Sequence, residues 1–168
     1  MMRGLVILIA GAMLALPASA RAPDPWAMPG EEAVDPYTVS DANAGAAPIE
    51  DPKVFAAFGG REGLTRIVDT FVELNYADPR INEIFKPFEK ARLKRTLFEQ
   101  FCYILGGGCA YTGRDMASSH KDMGLTASDM NALVENLQTA MTREGVPFPM
   151  QNRLLARLAP MKRDVLQK

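Results

Sequence analysis

The sequence predicts an all-α protein, and three observations predict it. No stretch alternates apolar and polar residues with the period of two that a half-buried strand needs. Four long segments instead repeat apolar residues every three or four positions, the spacing that gathers side chains on one helical face. Each segment is bounded by glycine or proline, residues that stop helices for known backbone reasons.

Residues 1–20 read as a signal peptide. Arg3 supplies the positive start, Leu5 to Leu16 is apolar and uncharged, and Ala18-Ser19-Ala20 offers the small residues of a cleavage site. The run is short for a bilayer span, and no cysteine follows to take a lipid. The expected destination is export, periplasmic or secreted, with no membrane span left after cleavage.

Residues 21–52 read as a disordered, acidic, proline-rich linker. Six of the chain's 12 prolines fall here, with seven acidic residues and only Arg21 to oppose them. Such composition buries too little apolar surface to offset the entropy of ordering. Trp26 is the one large aromatic, read as exposed.

The folded unit is then 53–168. It carries 17 basic and 13 acidic residues, a mild excess that gives no footprint for nucleic acid. In the first long helix, 61–77, Leu64, Ile67, Val68, Phe71, Val72 and Leu74 form the stripe, and Asp78-Pro79 ends it. A short turn, 81–85, carries Ile84 and Phe85 inward. The second helix, 89–105, places Leu93, Leu97, Phe101, Ile104 and Leu105 on one face and stops at Gly106-Gly107-Gly108. That glycine run is no phosphate loop, because no Lys-Ser/Thr follows and no strand precedes it. A third helix opens with Thr126 and Asp129 as a capping pair and buries Met130, Leu133, Val134, Leu137 and Met141. After Gly145-Val146-Pro147 a last helix carries Leu154, Leu155, Leu158, Met161 and Val165, and Pro160 should kink it.

Between the second and third long helices lies Tyr111-Thr-Gly-Arg-Asp-Met-Ala-Ser-Ser-His120, which ends in the chain's only histidine. Gly113 reads as a loop residue with access to positive φ. Asp115 can cap a short helix on which Met116, His120 and Met123 share a face. Histidines at such spacing are often simply packed, so these residues alone leave open whether His120 binds a metal. With one histidine, bis-histidine haem ligation and a zinc site of several histidines are excluded.

In this order the motifs resemble the group I truncated haemoglobins, the short two-over-two globins of the bacterial-like globin family. The likeness runs over roughly 53–168. It rests on Gly59-Gly60, the Phe71 segment running into Ala77-Asp78-Pro79, Leu105-Gly106-Gly107, Tyr111-Thr112-Gly113, Met116, His120 and Gly124-Leu125-Thr126. The resemblance implies a two-over-two helical sandwich that holds haem b between the 89–105 helix, on the distal side, and the His120 helix. His120 is the implied iron ligand. Its second ring nitrogen would be held by a carbonyl or by the hydroxyl of Ser118 or Ser119. Phe71, Val72, Phe85, Leu93, Leu97, Phe101, Tyr111, Met116 and Met123 are the other implied haem contacts. Tyr111 is placed to reach a propionate, as are Arg92, Lys94 or Arg114.

The distal side departs from the family pattern. Val72 stands where a tyrosine is common, and Leu93 and Leu97 stand where glutamine is common. Tyr76 and Gln100 are the polar side chains near enough to replace them. Tyr76 is expected to keep its hydroxyl at the rim, and Gln100 is expected to face solvent. The implied function is binding of a diatomic gas (oxygen, nitric oxide or carbon monoxide), as in oxygen transport, in an unusually apolar pocket. An electron donor is a possible partner, and the chain is expected to be a monomer or a weak oligomer. Two other readings stay open: a haem-dependent redox enzyme acting on nitric oxide, nitrite or peroxide, and a haem-free helical interaction module. Cys102 and Cys109 would lie about 10 Å apart on a continuous helix, too far to bridge, but the glycine turn between them can shorten that distance. A disulfide therefore stays open as well.

Overall fold

The computed structural model describes residues 27–31 and 34–166. The expected signal peptide and Trp26 lie outside these residues. All regular structure among them is helical: α1 (Pro52–Ala57), α2 (Gly60–Ala77), α3 (Asn82–Phe85), α4 (Lys90–Ile104), α5 (Met116–Ser119), α6 (Ala127–Arg143), α7 (Phe148–Leu158) and α8 (Lys162–Val165). Short 3-10 turns occupy Asp41–Ala44 and Ala159–Met161. The second of these is where Pro160 interrupts the last long helix, as its missing N–H and bulky ring require. No helix of the described residues is long and apolar enough to cross a membrane.

Helix α2 is the keel, packing against α4 on one side and α6 on the other, while α7 closes against both. Leu64, Ile67, Val68 and Val72 of α2 lose nearly all their surface there, as do Ile104 of α4 and Leu154 of α7. Burial of this kind stabilises by about 1.5–3 kcal/mol per large aliphatic side chain. A polar clasp ends the α2–α6 contact. Asn136 donates from Nδ2 to Asn75 Oδ1 at 3.0 Å and to Asp78 Oδ2 at 3.1 Å. Thr126 and Asp129 form the reciprocal capping box that starts α6.

The end of α4 differs from a plain helix stop. Gly106 and Gly108 both take positive φ, and the chain reverses sharply enough to bring the Cα atoms of Cys102 and Cys109 to 5.6 Å. The two residues are joined by a disulfide. Arg61 lies over it, with Nη1 2.9 Å from Cys109 Sγ and its guanidinium 5.2 Å from the Phe98 ring centroid.

The disordered linker expected over 21–52 is not found in its described part. Ala44 and Ile49 are buried in the domain, and Ile49 N–H donates to Ile104 O at 2.8 Å. Composition misleads here because the acidic charges are not left to water. Glu31 is paired with Arg92 and Arg95 of α4, so one carboxylate and two guanidiniums satisfy each other across some sixty residues of chain.

Candidate functional site

Helices α3, α4, α6 and α7 and the α5 segment surround a cavity of about 360 Å³. Its walls explain a pattern that periodicity alone does not. Met130, Leu133 and Val134 of α6, with Leu155 and Leu158 of α7, lie on apolar stripes yet are only half-buried. Each lines the cavity, and Leu133, Leu155 and Leu158 also pack against the core. Ile84 and Phe85 do the same, so they form a wall instead of entering the packed core. A space of this size walled by apolar side chains is a ligand pocket by both volume and chemistry.

His120 stands on this wall, in the position that ends α5. Its local geometry is fixed from the sequence upward. Asp115 caps α5 by accepting from Ser118 N–H at 2.9 Å, and it also accepts from the Ser118 hydroxyl at 2.7 Å. These bonds hold the Asp115 carboxyl below its usual pKa. The single turn that follows brings the His120 ring under the Met116 carbonyl. His120 Nδ1 lies 2.8 Å from Met116 O. A carbonyl can only accept, so Nδ1 carries the proton, and the lone pair of the neutral ring sits on Nε2. The carbonyl thus does the holding, and the Ser118 hydroxyl is already committed to Asp115.

Of the sequence-derived site residues, the structure brings Phe71, Phe85, Leu97, Phe101, Met116, His120 and Met123 together around the cavity. Val72, Leu93 and Tyr111 are not among its walls. Val72 follows Phe71 by about 100° around α2 and is wholly buried in the helix-packing core. Leu93 is half-buried against that same core. Tyr111 is buried with its hydroxyl donating to Arg114 O at 2.9 Å, and burial pushes its pKa up. Tyr76 keeps its hydroxyl away from the cavity, donating to Phe88 O at 2.6 Å.

Gln100 is the main correction. Expected to face solvent, it is 5 % exposed and lines the cavity. Its Nε2 donates to Ala44 O at 3.0 Å and approaches the Met116 sulfur at 3.6 Å. The signal was present: Gln100 lies three residues after Leu97 and four before Ile104, squarely on the inward stripe. Among cations, Lys162 reaches the cavity. Arg92, Lys94 and Arg114 are instead engaged by Glu31, by Asp69 with Glu73, and by the Asp35 carbonyl respectively.

No cluster of three or more His, Cys, Asp or Glu among the described residues is placed to hold a metal ion. A metal at this site would therefore arrive within a prosthetic group and take one protein ligand. The donor set fits haem on those terms: one imidazole with a directed lone pair, in a wall that is mostly apolar, with Gln100, Asp129, Asn131 and Lys162 as its other polar members.

The family model for bacterial-like globins matches residues 53–167. The chain belongs to the bacterial-like globin family. A group 1 truncated hemoglobin of Mycolicibacterium paratuberculosis is 29% identical to this globin over 116 residues, 69% of this chain and 85% of that protein. One from Tetrahymena thermophila is 31% identical over 97 residues, 58% of this chain and 80% of that one. The crystal structure of the truncated hemoglobin from Tetrahymena pyriformis in its Fe(III) form superposes with a TM-score of 0.66 at 25% identity, over 68% of this chain and 98% of that one. The 2/2 hemoglobin from Synechococcus sp. PCC 7002 does so with a TM-score of 0.64 at 25% identity, covering 68% of this chain and 98% of that one. The two-over-two globin fold expected from the sequence is the fold of this protein.

Proposed function

We propose that this globin is an exported haem b protein that binds a diatomic gas, with His120 as the proximal ligand. The observation that carries the reading is the His120 ring. With Nδ1 committed to Met116 O, its Nε2 lone pair is the one imidazole donor on an apolar cavity wall. When bound, haem would supply the iron site at which oxygen, nitric oxide or carbon monoxide exchanges. The chain's own part is to orient the imidazole through the Asp115-capped turn and to exclude water with Phe71, Phe85, Leu97 and Phe101. Binding is favoured over turnover because the apolar walls offer few proton donors, and the Gln100 amide already has a partner in Ala44 O. The Cys102–Cys109 bridge supports an oxidising compartment, in keeping with the signal-like residues 1–20.

The test is spectroscopic. Protein recovered from the exported fraction should carry a Soret band. His120→Ala should lose most of that haem while its far-ultraviolet helical signal persists, and free imidazole should restore binding. A variant that keeps the wild-type haem spectrum without added imidazole removes His120 from the role.

A further inference from the structure

Residues 27–31 and 34–52 precede the family-matched region, which begins at 53, and they pack behind the cavity walls without lining the cavity themselves. Their path is built from directed contacts. Met28-Pro29-Gly30-Glu31 forms a turn closed by Glu31 N–H to Met28 O at 3.0 Å, which delivers the Glu31 side chain to α4. That carboxylate has no exposed surface. Oε1 accepts from Arg95 Nε at 2.6 Å, and Oε2 accepts from Arg95 Nη2 at 2.8 Å and from Arg92 Nη1 at 3.3 Å. Planar, bidentate pairing of this kind fixes orientation as well as charge.

The segment then crosses to the loop that leads into the His120 helix. Tyr37 donates from its hydroxyl to Thr112 O at 2.7 Å and accepts there from Arg92 Nη2 at 3.0 Å. Asp41 accepts from Tyr111 N–H at 2.8 Å, and Asn43 donates to Gly113 O at 3.1 Å. It finishes against the cavity wall itself. Ala44 is fully buried and gives its carbonyl to Gln100. A Cβ placed on Gly45 would come within 2.9 Å of Met161 Cε, so the backbone lies directly on that wall residue.

We infer that residues 27–31 and 34–52 act as a strap that positions α4 relative to the 111–116 loop, held to α4 at Glu31 and at Gln100, and thereby slows loss of the prosthetic group. The inference rests on the haem reading of the cavity. Haem held between these walls would leave faster if the walls parted. The strap bridges the two walls, one carrying Leu97 and the other carrying Met116 and His120, at a place His120 ligation does not reach.

The experiment compares full-length wild type, Glu31→Ala, Glu31→Gln and Gln100→Leu, each loaded with haem. Haem loss is followed as transfer to an excess of a haem-scavenging apoglobin, and amide exchange is measured in loaded and haem-free protein. Glu31→Ala and Gln100→Leu should each lose haem at least about fivefold faster with the Soret position unchanged. Faster exchange should be confined to 34–45, 90–104 and 111–115. Glu31→Gln keeps an acceptor oxygen for Arg95 and should recover part of the loss, and it carries the test should Glu31→Ala fail to fold. Loss rates within twofold of wild type in both Glu31→Gln and Gln100→Leu overturn the inference. So does faster exchange spread evenly over α2 and α6, which marks general destabilisation. A wild type without a Soret band defeats the haem reading, and this inference with it, and is told apart from the first two outcomes by that spectrum alone.

Discussion

Breaking the Cys102–Cys109 bridge should lower the melting temperature by about 9 °C. The two residues are seven apart in sequence, so the bridge closes a loop of about eight. In the chain-entropy treatment such a loop removes about 8 cal/mol/K from the unfolded ensemble, or about 2.5 kcal/mol at room temperature. A folded unit the size of the described region has an unfolding entropy of about 0.28 kcal/mol/K, which converts that figure to about 9 °C. Two perturbations should agree. One is a reductant, and the other is Cys109→Ala, chosen because Cys109 is half-exposed whereas Cys102 is wholly buried and would leave a polar hydroxyl in the core as serine. Differential scanning calorimetry gives the shift, and alkylation with mass spectrometry counts the thiols. Two thiols that alkylate in native, unreduced protein refute the bridge. Full reduction with a melting temperature moved by less than about 2 °C refutes the entropy argument, and would mean that the Gly106–Gly108 turn holds the loop equally well without sulfur.

Leu97→Gln places an amide on the cavity wall; one added hydrogen bond of about 0.5–1.5 kcal/mol should slow oxygen release by about two- to twelvefold, with carbon monoxide release nearly unchanged in stopped-flow traces. Val72→Tyr, at a wholly buried position off the cavity, should instead cost about 1–3 kcal/mol in a denaturant melt and leave gas release alone. Hydrogen bonds from Arg95 hold the Glu31 carboxyl below its usual pKa, with Arg92 adding to the effect and the Glu99 carboxylate sharing Arg95, so the strap's stabilisation is present above about pH 4 and is lost as pH falls through the depressed value. Amide protection over 34–45, taken relative to the intrinsic exchange rate at each pH, should accordingly stay flat from pH 8 to pH 5 and fall only in stronger acid. Gly106→Ala would set a Cβ 2.3 Å from Ile49 O at a φ of 78°, and should cost about 1–3 kcal/mol of stability by the same melt.

The helices were legible because each rule is local. A stripe such as Leu64, Ile67, Val68 and Phe71 needs only its own segment to declare a helix, and Pro79, Gly106 and Pro160 end or interrupt helices through their own backbones. The family motifs were legible for the same reason, since each is a short run with a fixed place in the order. Gly113 shows how a correct residue can carry an incorrect reason. Its φ is not positive; glycine is needed there because a Cβ would lie 2.2 Å from the Tyr111 hydroxyl. That contact depends on how Tyr111 folds back on its own loop, which no glycine rule states.

Periodicity tells which face of a helix turns inward, and it is silent on whether that face meets another helix or a cavity. Phe71 and Val72 are neighbours on one stripe, yet the first walls the cavity and the second fills the core. Gln100 sits at an inward position, but its polarity argued for solvent until Ala44 O was seen to receive its amide. Glu31 reads as an unopposed charge in the sequence because Arg92 and Arg95 lie more than sixty residues away along the chain. Both errors have one physical origin. The cost of burying a polar group is set by the partner it finds, and here both partnerships join the segment before residue 53 to α4. A segment whose charge and proline content forbid an independent core can still be ordered when a neighbouring domain supplies its counter-ions, and in this globin that neighbour is the helix whose inner face lines the cavity.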